Sequence, residues 1–327
     1  MLFFMSYASS AGSLPAKEVY EQVSRNVVLI IARSQGGHKS LGAGSIISND
    51  GLVVTNAHVV LDKDSSKACS DIKIFLKPDK VTGQSPLDLV NGHYVKVLMY
   101  SHDLDLALLS INDPPPELGK IELADSDEIK IGEEVIAIGH PEQGGLWSLT
   151  YGRISGSIEN FSDITGKDVF QTDTSLNRGN SGGPLLDQRG YMVAINSNIA
   201  RLSSDNLPIT GVNFAIKSSV VKSWLGKEGY VIAYGQKPLV EESQERKVQE
   251  SGGKTEFTEG EKAQGKKVQG KSIQKIGESK KSEAQGAEVT QEERFQTPKQ
   301  PYDYDALLKA VEADLEEMMD KMRNKIR

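Results

Sequence analysis

One cysteine, Cys69, in 327 residues excludes an intrachain disulfide framework and every multi-cysteine zinc pattern. Cys69 sits in a polar stretch with no histidine or basic cluster beside it, so it reads as an unactivated thiol. Basic residues are in deficit, 38 against 45 acidic, a formal net charge of −7. That balance argues against a nucleic-acid binder relying on phosphate neutralisation. The main apolar stretch, Val27 to Ala32, falls far short of the roughly 20 residues that span a bilayer, so no membrane span is expected. No HExxH helix, paired-glutamate helix or P-loop occurs, and the chain is expected to need no cofactor and no metal. Apolar residues make up only 38 %, which implies that part of the chain builds no core.

Composition divides the chain into four segments. Residues 1–16 open with Leu2-Phe3-Phe4-Met5 followed by Ala8, Ser9, Ser10 and Ala11, which resembles the end of a secretory signal without its basic start. Periplasmic or other export is the reading this favours. A frayed apolar terminus on a cytoplasmic protein is the alternative. Residues 17–235 alternate short β-branched runs with Gly, Asn, Asp and Pro, an all-β pattern. Twelve strands are predicted: 27–33, 42–47, 52–55, 72–76, 94–100, 106–111, 134–139, 148–158, 170–172, 184–186, 192–197 and 212–216. This number suits two small barrels. Asn49-Asp50-Gly51 marks a hairpin, and residues 17–25 and 218–225 read as amphipathic helices.

Residues 236–300 are dominated by Gln, Glu, Lys, Ser and Gly with nearly balanced charge, and read as a disordered linker that cannot bury enough to fold. In 301–327 periodicity returns: Tyr304, Leu308, Val311, Leu315, Met318 and Met322 make a heptad seam. A helix forming a short coiled coil between copies is one reading, and docking on its own domain or on a partner is the other.

Three short motifs could carry chemistry. Gly179-Asn180-Ser181-Gly182-Gly183 is a glycine-rich bend running into an apolar strand. It holds a serine on a sharp turn where closely spaced amides converge on an oxyanion; an ordinary polar loop is its bland alternative. Val53-Val54-Thr55-Asn56-Ala57-His58 ends an apolar strand in an uncrowded histidine, suited to general-base work, although such histidines are often packed rim residues. His38, His93, His102 and His140 lack this context and read as structural. Asp105 adjoins the apolar run Leu106 to Leu109. Partly buried there, it would need hydrogen-bond partners, and the imidazole of His58 would supply one. Asp103 is the competing carboxylate, two residues farther out, and a solvated strand cap is the common fate of either. The order His, Asp, Ser is that of the chymotrypsin-type triad rather than the subtilisin or α/β-hydrolase orders.

Thr55 to Val60, Asp105 to Leu108 and Asn177 to Gly183 resemble the HtrA/Deg family of trypsin-fold serine proteases. Leu41 to Ile47, Ile138 to Pro141 and Gly211 to Ile216 are similar to further segments of that family. The resemblance covers about residues 19–225 and implies two six-stranded antiparallel barrels with a cleft between them, often assembled as trimers or larger. Two features depart from it: residues 236–327 offer no PDZ-like module, and the connection 62–91 is enlarged. Its Asp62, Asp64, Asp71 and Asp79 read as solvated charges rather than metal ligands.

On this reading His58, Asp105 and Ser181 form the triad, and the amides of Gly179, Asn180 and Ser181 the oxyanion hole. The expected activity is a serine endopeptidase acting on unfolded polypeptides. Asn180 is neutral where digestive relatives place an aspartate that captures a new N-terminus, so a zymogen switch is not expected. Ser175, six residues before the nucleophile, is not acidic and implies small aliphatic side chains at P1. Asn196, Ser197 and Asn198 are expected to form an edge that pairs with the substrate backbone. A peptide-binding or chaperone-like protein of the same fold, its triad inactive at rest, is the alternative, and a scaffold recruiting partners through the terminal helix is a third.

Overall fold

The computed structural model describes residues 14–37, 39–83, 85–142, 144–197 and 211–235. The predicted N-terminal segment up to residue 13, the linker and the C-terminal helix lie outside them.

Twelve strands form two closed antiparallel barrels. The first contains β1 (Val27–Arg33), β2 (Lys39–Ile46), β3 (Leu52–Thr55), β4 (Asp71–Phe75), β5 (Gly92–Ser101) and β6 (Leu106–Ile111), paired in the order β1-β2-β3-β6-β5-β4. The second contains β7 (Glu134–Gly139), β8 (Ser148–Ile158), β9 (Val169–Thr172), β10 (Pro184–Leu186), β11 (Met192–Ser197) and β12 (Asn213–Lys217), paired β10-β11-β12-β9-β8-β7. Each of the twelve predicted strands has its counterpart. The main shift is at β2, which begins at Lys39 rather than Gly42 because Lys39, Ser40 and Leu41 pair with Arg33, Ala32 and Ile31.

Strand β1 explains how the barrels cohere. A strand buried on one face alternates apolar and polar residues, but β1 is apolar from Val27 to Ala32 because both faces are covered. Val28, Ile30 and Ala32 pack with first-barrel residues such as Val53 and Leu109. Val27, Leu29 and Ile31 join a cluster that also contains Ile136, Ile138, Trp147 and Ile195 of the second barrel. Each such side chain contributes about 1.5–3 kcal/mol by leaving water. Trp147 adds a polar tie, its indole Nε1 donating to the Val27 carbonyl at 2.8 Å.

Helix α1 (Ala16–Val23) buries Val19 and Val23 against the same cluster. Two one-turn helices, α2 (Ala57–Val60) and α3 (Ser85–Asp88), interrupt the first barrel's connections. Helix α4 (Ser218–Lys227) packs Val221, Trp224 and Leu225 inward, and Ser218 Oγ donates to the Ala124 carbonyl at 2.7 Å. None of these helices is long and apolar enough to cross a membrane.

Candidate active site

His58 stands on α2, one residue into a helical turn rather than at the strand end predicted for it. Apolar β3 delivers the chain to Asn56, whose side-chain Nδ2 donates to the Asp105 carbonyl at 2.9 Å. This bond ties the start of the turn to the residue before β6. Asp105 takes a left-handed backbone conformation (φ 57°), which aspartate tolerates better than most side chains. Its carboxylate accepts from the His58 backbone amide at 3.0 Å and faces His58 Nδ1 at 3.0 and 2.9 Å. Ser197 Oγ donates to it at 3.1 Å. In the tautomer protonated at Nδ1 the carboxylate accepts from three donors, and Nε2 is left as an acceptor. The carboxylate paired with His58 is therefore Asp105. Asp103 contributes instead its carbonyl, which accepts from Lys167 Nζ at 2.7 Å.

Ser181 lies at the end of the glycine-rich bend and is only 4 % exposed. Its carbonyl accepts from the Ala43 amide on β2 at 2.8 Å, so the bend from the second barrel is clamped to the first. Small residues permit this approach: a side chain at Gly182 would come within 2.2 Å of the Ala43 carbonyl. His58, Gly179 and Ser181 line one cleft of about 410 Å³ together with Leu41, Lys63 and Arg178. A second cavity of about 320 Å³ flanks the imidazole and is lined in part by Leu61, Asp62, His102 and Lys167.

Of the three predicted oxyanion amides, that of Asn180 is already committed, donating to the Asn177 carbonyl at 3.0 Å. The turn consumes it, so it is not free to meet an oxyanion. Gly179 is set by its neighbour. The Arg178 carbonyl accepts from the Glu142 amide at 2.9 Å, and in a trans peptide the next N–H points the opposite way.

His140, read as structural, is fully buried behind this turn. Its backbone amide donates to the Gly179 carbonyl at 3.2 Å, its Nδ1 accepts from the Trp147 amide at 3.1 Å, and its ring meets Trp147 edge-on. Burial holds the imidazole neutral and lowers its pKa to about 3.

Two specificity expectations meet obstacles. Ser175 is exposed and does not line the cleft, so the inference of a small aliphatic P1 side chain loses the contact it rested on. Asn196 is not on an edge: its amide donates to Gly183, its carbonyl accepts from Gly182, and β11 is paired on both sides by β10 and β12. The side chain of Ser197 turns to Asp105, and Asn198 lies outside the described residues. Nothing in the sequence pointed to Lys167, which sits in a Thr-Gly-Lys loop that reads as a solvated turn. Its ammonium reaches a carbonyl 64 positions earlier. In the enlarged connection, hydrogen bonds led by those from Ser34 and Ser65 pull the Asp62 carboxyl down to about 2, and burial pushes the Cys69 thiol up.

Residues 42–195 match the family model of the trypsin-like peptidase domain. The two barrels are trypsin-like in fold. The chain's homologues are of HtrA/DegP type. A probable periplasmic serine endoprotease, DegP-like, from Pseudomonas putida is 36 % identical over 196 residues, 59 % of this chain and 36 % of that protein. Protease Do-like 1, chloroplastic, from Arabidopsis thaliana is 35 % identical over 184 residues, 55 % of this chain and 37 % of its own. A solved structure of the HtrA-type protease AlgW with tripeptide superposes with a TM-score of 0.53 at 26 % identity, covering 66 % of this chain and 65 % of that one. The peptidase-like region thus spans little more than a third of the curated relatives it matches.

Proposed function

We propose that this domain is a serine endopeptidase that cleaves polypeptides through an acyl-enzyme. The observation that carries the reading is the assembled His58–Asp105–Ser197 arrangement opening on the cleft that Ser181 lines. His58 Nε2 takes the Ser181 hydroxyl proton as Oγ attacks the peptide carbonyl, and the new oxyanion accepts from the Gly179 and Ser181 amides. His58⁺, stabilised by Asp105, then gives its proton to the departing amine, and water activated by the same imidazole releases the acid. The alternative, a peptide-holding protein with a triad inactive at rest, is less well supported, because the carboxylate and the imidazole are in hydrogen-bonding contact.

Unfolded polypeptides are the proposed substrates and an exported compartment the proposed setting. The periplasmic and chloroplastic names of the relatives support the latter. Self-association through residues 301–327, to a trimer as the family resemblance implies, is part of the same proposal. Loss of mass in sedimentation on deleting 301–327 is the expected result, and an unchanged mass removes that part. The decisive experiment for catalysis is reaction with a fluorophosphonate followed by peptide mapping. Label on Ser181, lost in His58→Ala, is expected; an unlabelled Ser181 in folded protein that also fails to cleave casein overturns the proposal.

A further inference from the structure

The chain is acidic overall, yet the wall around Ser181 is not. Lys39, Lys63 and Arg178 face the cleft with Glu142 as the only acidic group among its described lining residues. Neither Lys63 nor Arg178 enters an ion pair among the described residues, and both are exposed. Their positions are well defined at the backbone. Arg178 is fixed by the bond from Glu142 to its carbonyl, and Lys63 follows Asp62, whose amide donates to the Lys67 carbonyl while its carboxylate accepts from Ser65. Two cations outside any described ion pair on the rim of a concave site, only partly offset by Glu142 and by Asp62 beside Lys63, concentrate field in the space where substrate must lie.

We infer that this cleft selects polypeptides carrying a carboxylate side chain beside the scissile bond, with Lys63 and Arg178 as the specificity-determining residues. The inference rests on the serine-hydrolase reading for the identity of the scissile bond. A 410 Å³ cleft is about 7 Å across, room for about two residues of extended chain, so the acidic position lies within about two residues of the cut. Glu142 partly offsets the cations, which makes the preference moderate rather than absolute. Each exposed charge pair is worth a factor of about three to five, and two acting together give about tenfold at low ionic strength.

The test uses internally quenched peptides that are identical except for Glu or Gln at each position within two of the bond. In wild-type protein kcat/KM for the best Glu peptide is expected to exceed that of its Gln twin about tenfold in dilute buffer. The ratio should fall toward one near 0.5 M salt, where the Debye length drops to about 4 Å, and in the Lys63→Gln/Arg178→Gln double variant. A wild-type ratio of one or less, or a ratio the double variant leaves unchanged, overturns the inference. Should neither peptide be cleaved, the hydrolase reading is what fails. Fluorescence anisotropy of the same labelled pair on Ser181→Ala still decides the charge preference: tighter binding of the Glu peptide supports it and equal binding refutes it.

Discussion

Replacing Gly179 by alanine should separate backbone placement from side-chain chemistry at the oxyanion turn. Gly179 has φ +93°, and a Cβ there would stand 1.9 Å from the His140 carbonyl oxygen. The left-handed conformation alone costs an alanine about 1–2 kcal/mol. The contact cannot be tolerated, so the turn must move by about 1 Å or more, pulling the Arg178 carbonyl off Glu142 and turning the Gly179 N–H away from its present direction. Losing one such donor costs about 10²–10³ in kcat. KM should stay within about twofold, because the donor acts on the transition state rather than on bound substrate. Strain plus displacement, about 2–3 kcal/mol, should lower Tm by about 5–10 °C in a domain of this size. Gly132→Ala is the matched control: its φ is +96° but nothing lies within 4 Å of the new Cβ, so it should lose about 1–2 kcal/mol of stability and keep full kcat. Steady-state hydrolysis of a quenched peptide and thermal melts read both effects. A folded Gly179→Ala protein with kcat within about threefold of wild type would refute the placement of the oxyanion donor.

Three further outcomes follow from the same contacts. Asp105→Asn keeps a residue that tolerates the left-handed backbone but presents an amide where the imidazole must donate; kcat should fall about 10³–10⁴-fold with an unchanged urea midpoint, and a loss under about tenfold would contradict the pairing. Lys167→Met strips the charge-assisted bond from the Asp103 carbonyl. It should cost about 1–2 kcal/mol in urea unfolding and lower kcat severalfold at constant KM, since the loop it holds carries Asp105; an unchanged midpoint would show the bond is not formed in solution. His140 has a folded-state pKa of about 3 against an ordinary 6.5. Between these values the unfolded chain holds a proton that the native state refuses, so this contribution to stability is complete above about pH 6.5 and is lost as pH falls toward 3, at about 1.4 kcal/mol per pH unit. Urea midpoints from pH 4 to 7 should flatten in His140→Gln, and equal slopes in the two proteins would disprove the buried neutral imidazole.

Strands were legible in the sequence wherever burial on one or both faces imposed apolar periodicity. Val27 to Ala32 could be read because two barrels cover β1 from opposite sides. The start of β2 could not, because Lys39 and Ser40 belong to the strand through backbone pairing that leaves no trace in side-chain polarity. A helix as short as α2 is equally silent, since four residues span little more than one 3.6-residue turn. The candidate site residues stood out for local reasons: His58 and Asp105 each border an apolar run, and Ser181 stands in a glycine-rich bend that leads into one. Their supports were invisible, because Asn56, Lys167 and His140 act through main-chain groups reached only after the chain has folded back.

Ser175 shows where a family correspondence and local physics give different answers, and why the second deserves weight. From Thr172 to Asn177 burial alternates strictly: Thr172, Thr174 and Leu176 are buried, whereas Asp173, Ser175 and Asn177 are exposed. β9 ends at Thr172 and the chain bends at Thr174, yet the alternation carries on through the segment. Asn213 Nδ2 donates to the Thr174 carbonyl at 2.7 Å, and the Thr172 and Thr174 hydroxyls meet at 2.7 Å, so the register cannot slip by one residue without exposing Leu176 and breaking both contacts. A specificity pocket built from this segment would therefore be floored by Leu176 or Thr174 rather than by Ser175. Leu176→Ala enlarging the accepted P1 side chain, with Ser175→Asp leaving it unaltered in cleavage mapping, is the outcome that alternation demands; a gain of cleavage after Lys or Arg in Ser175→Asp would show that the register changes when substrate binds.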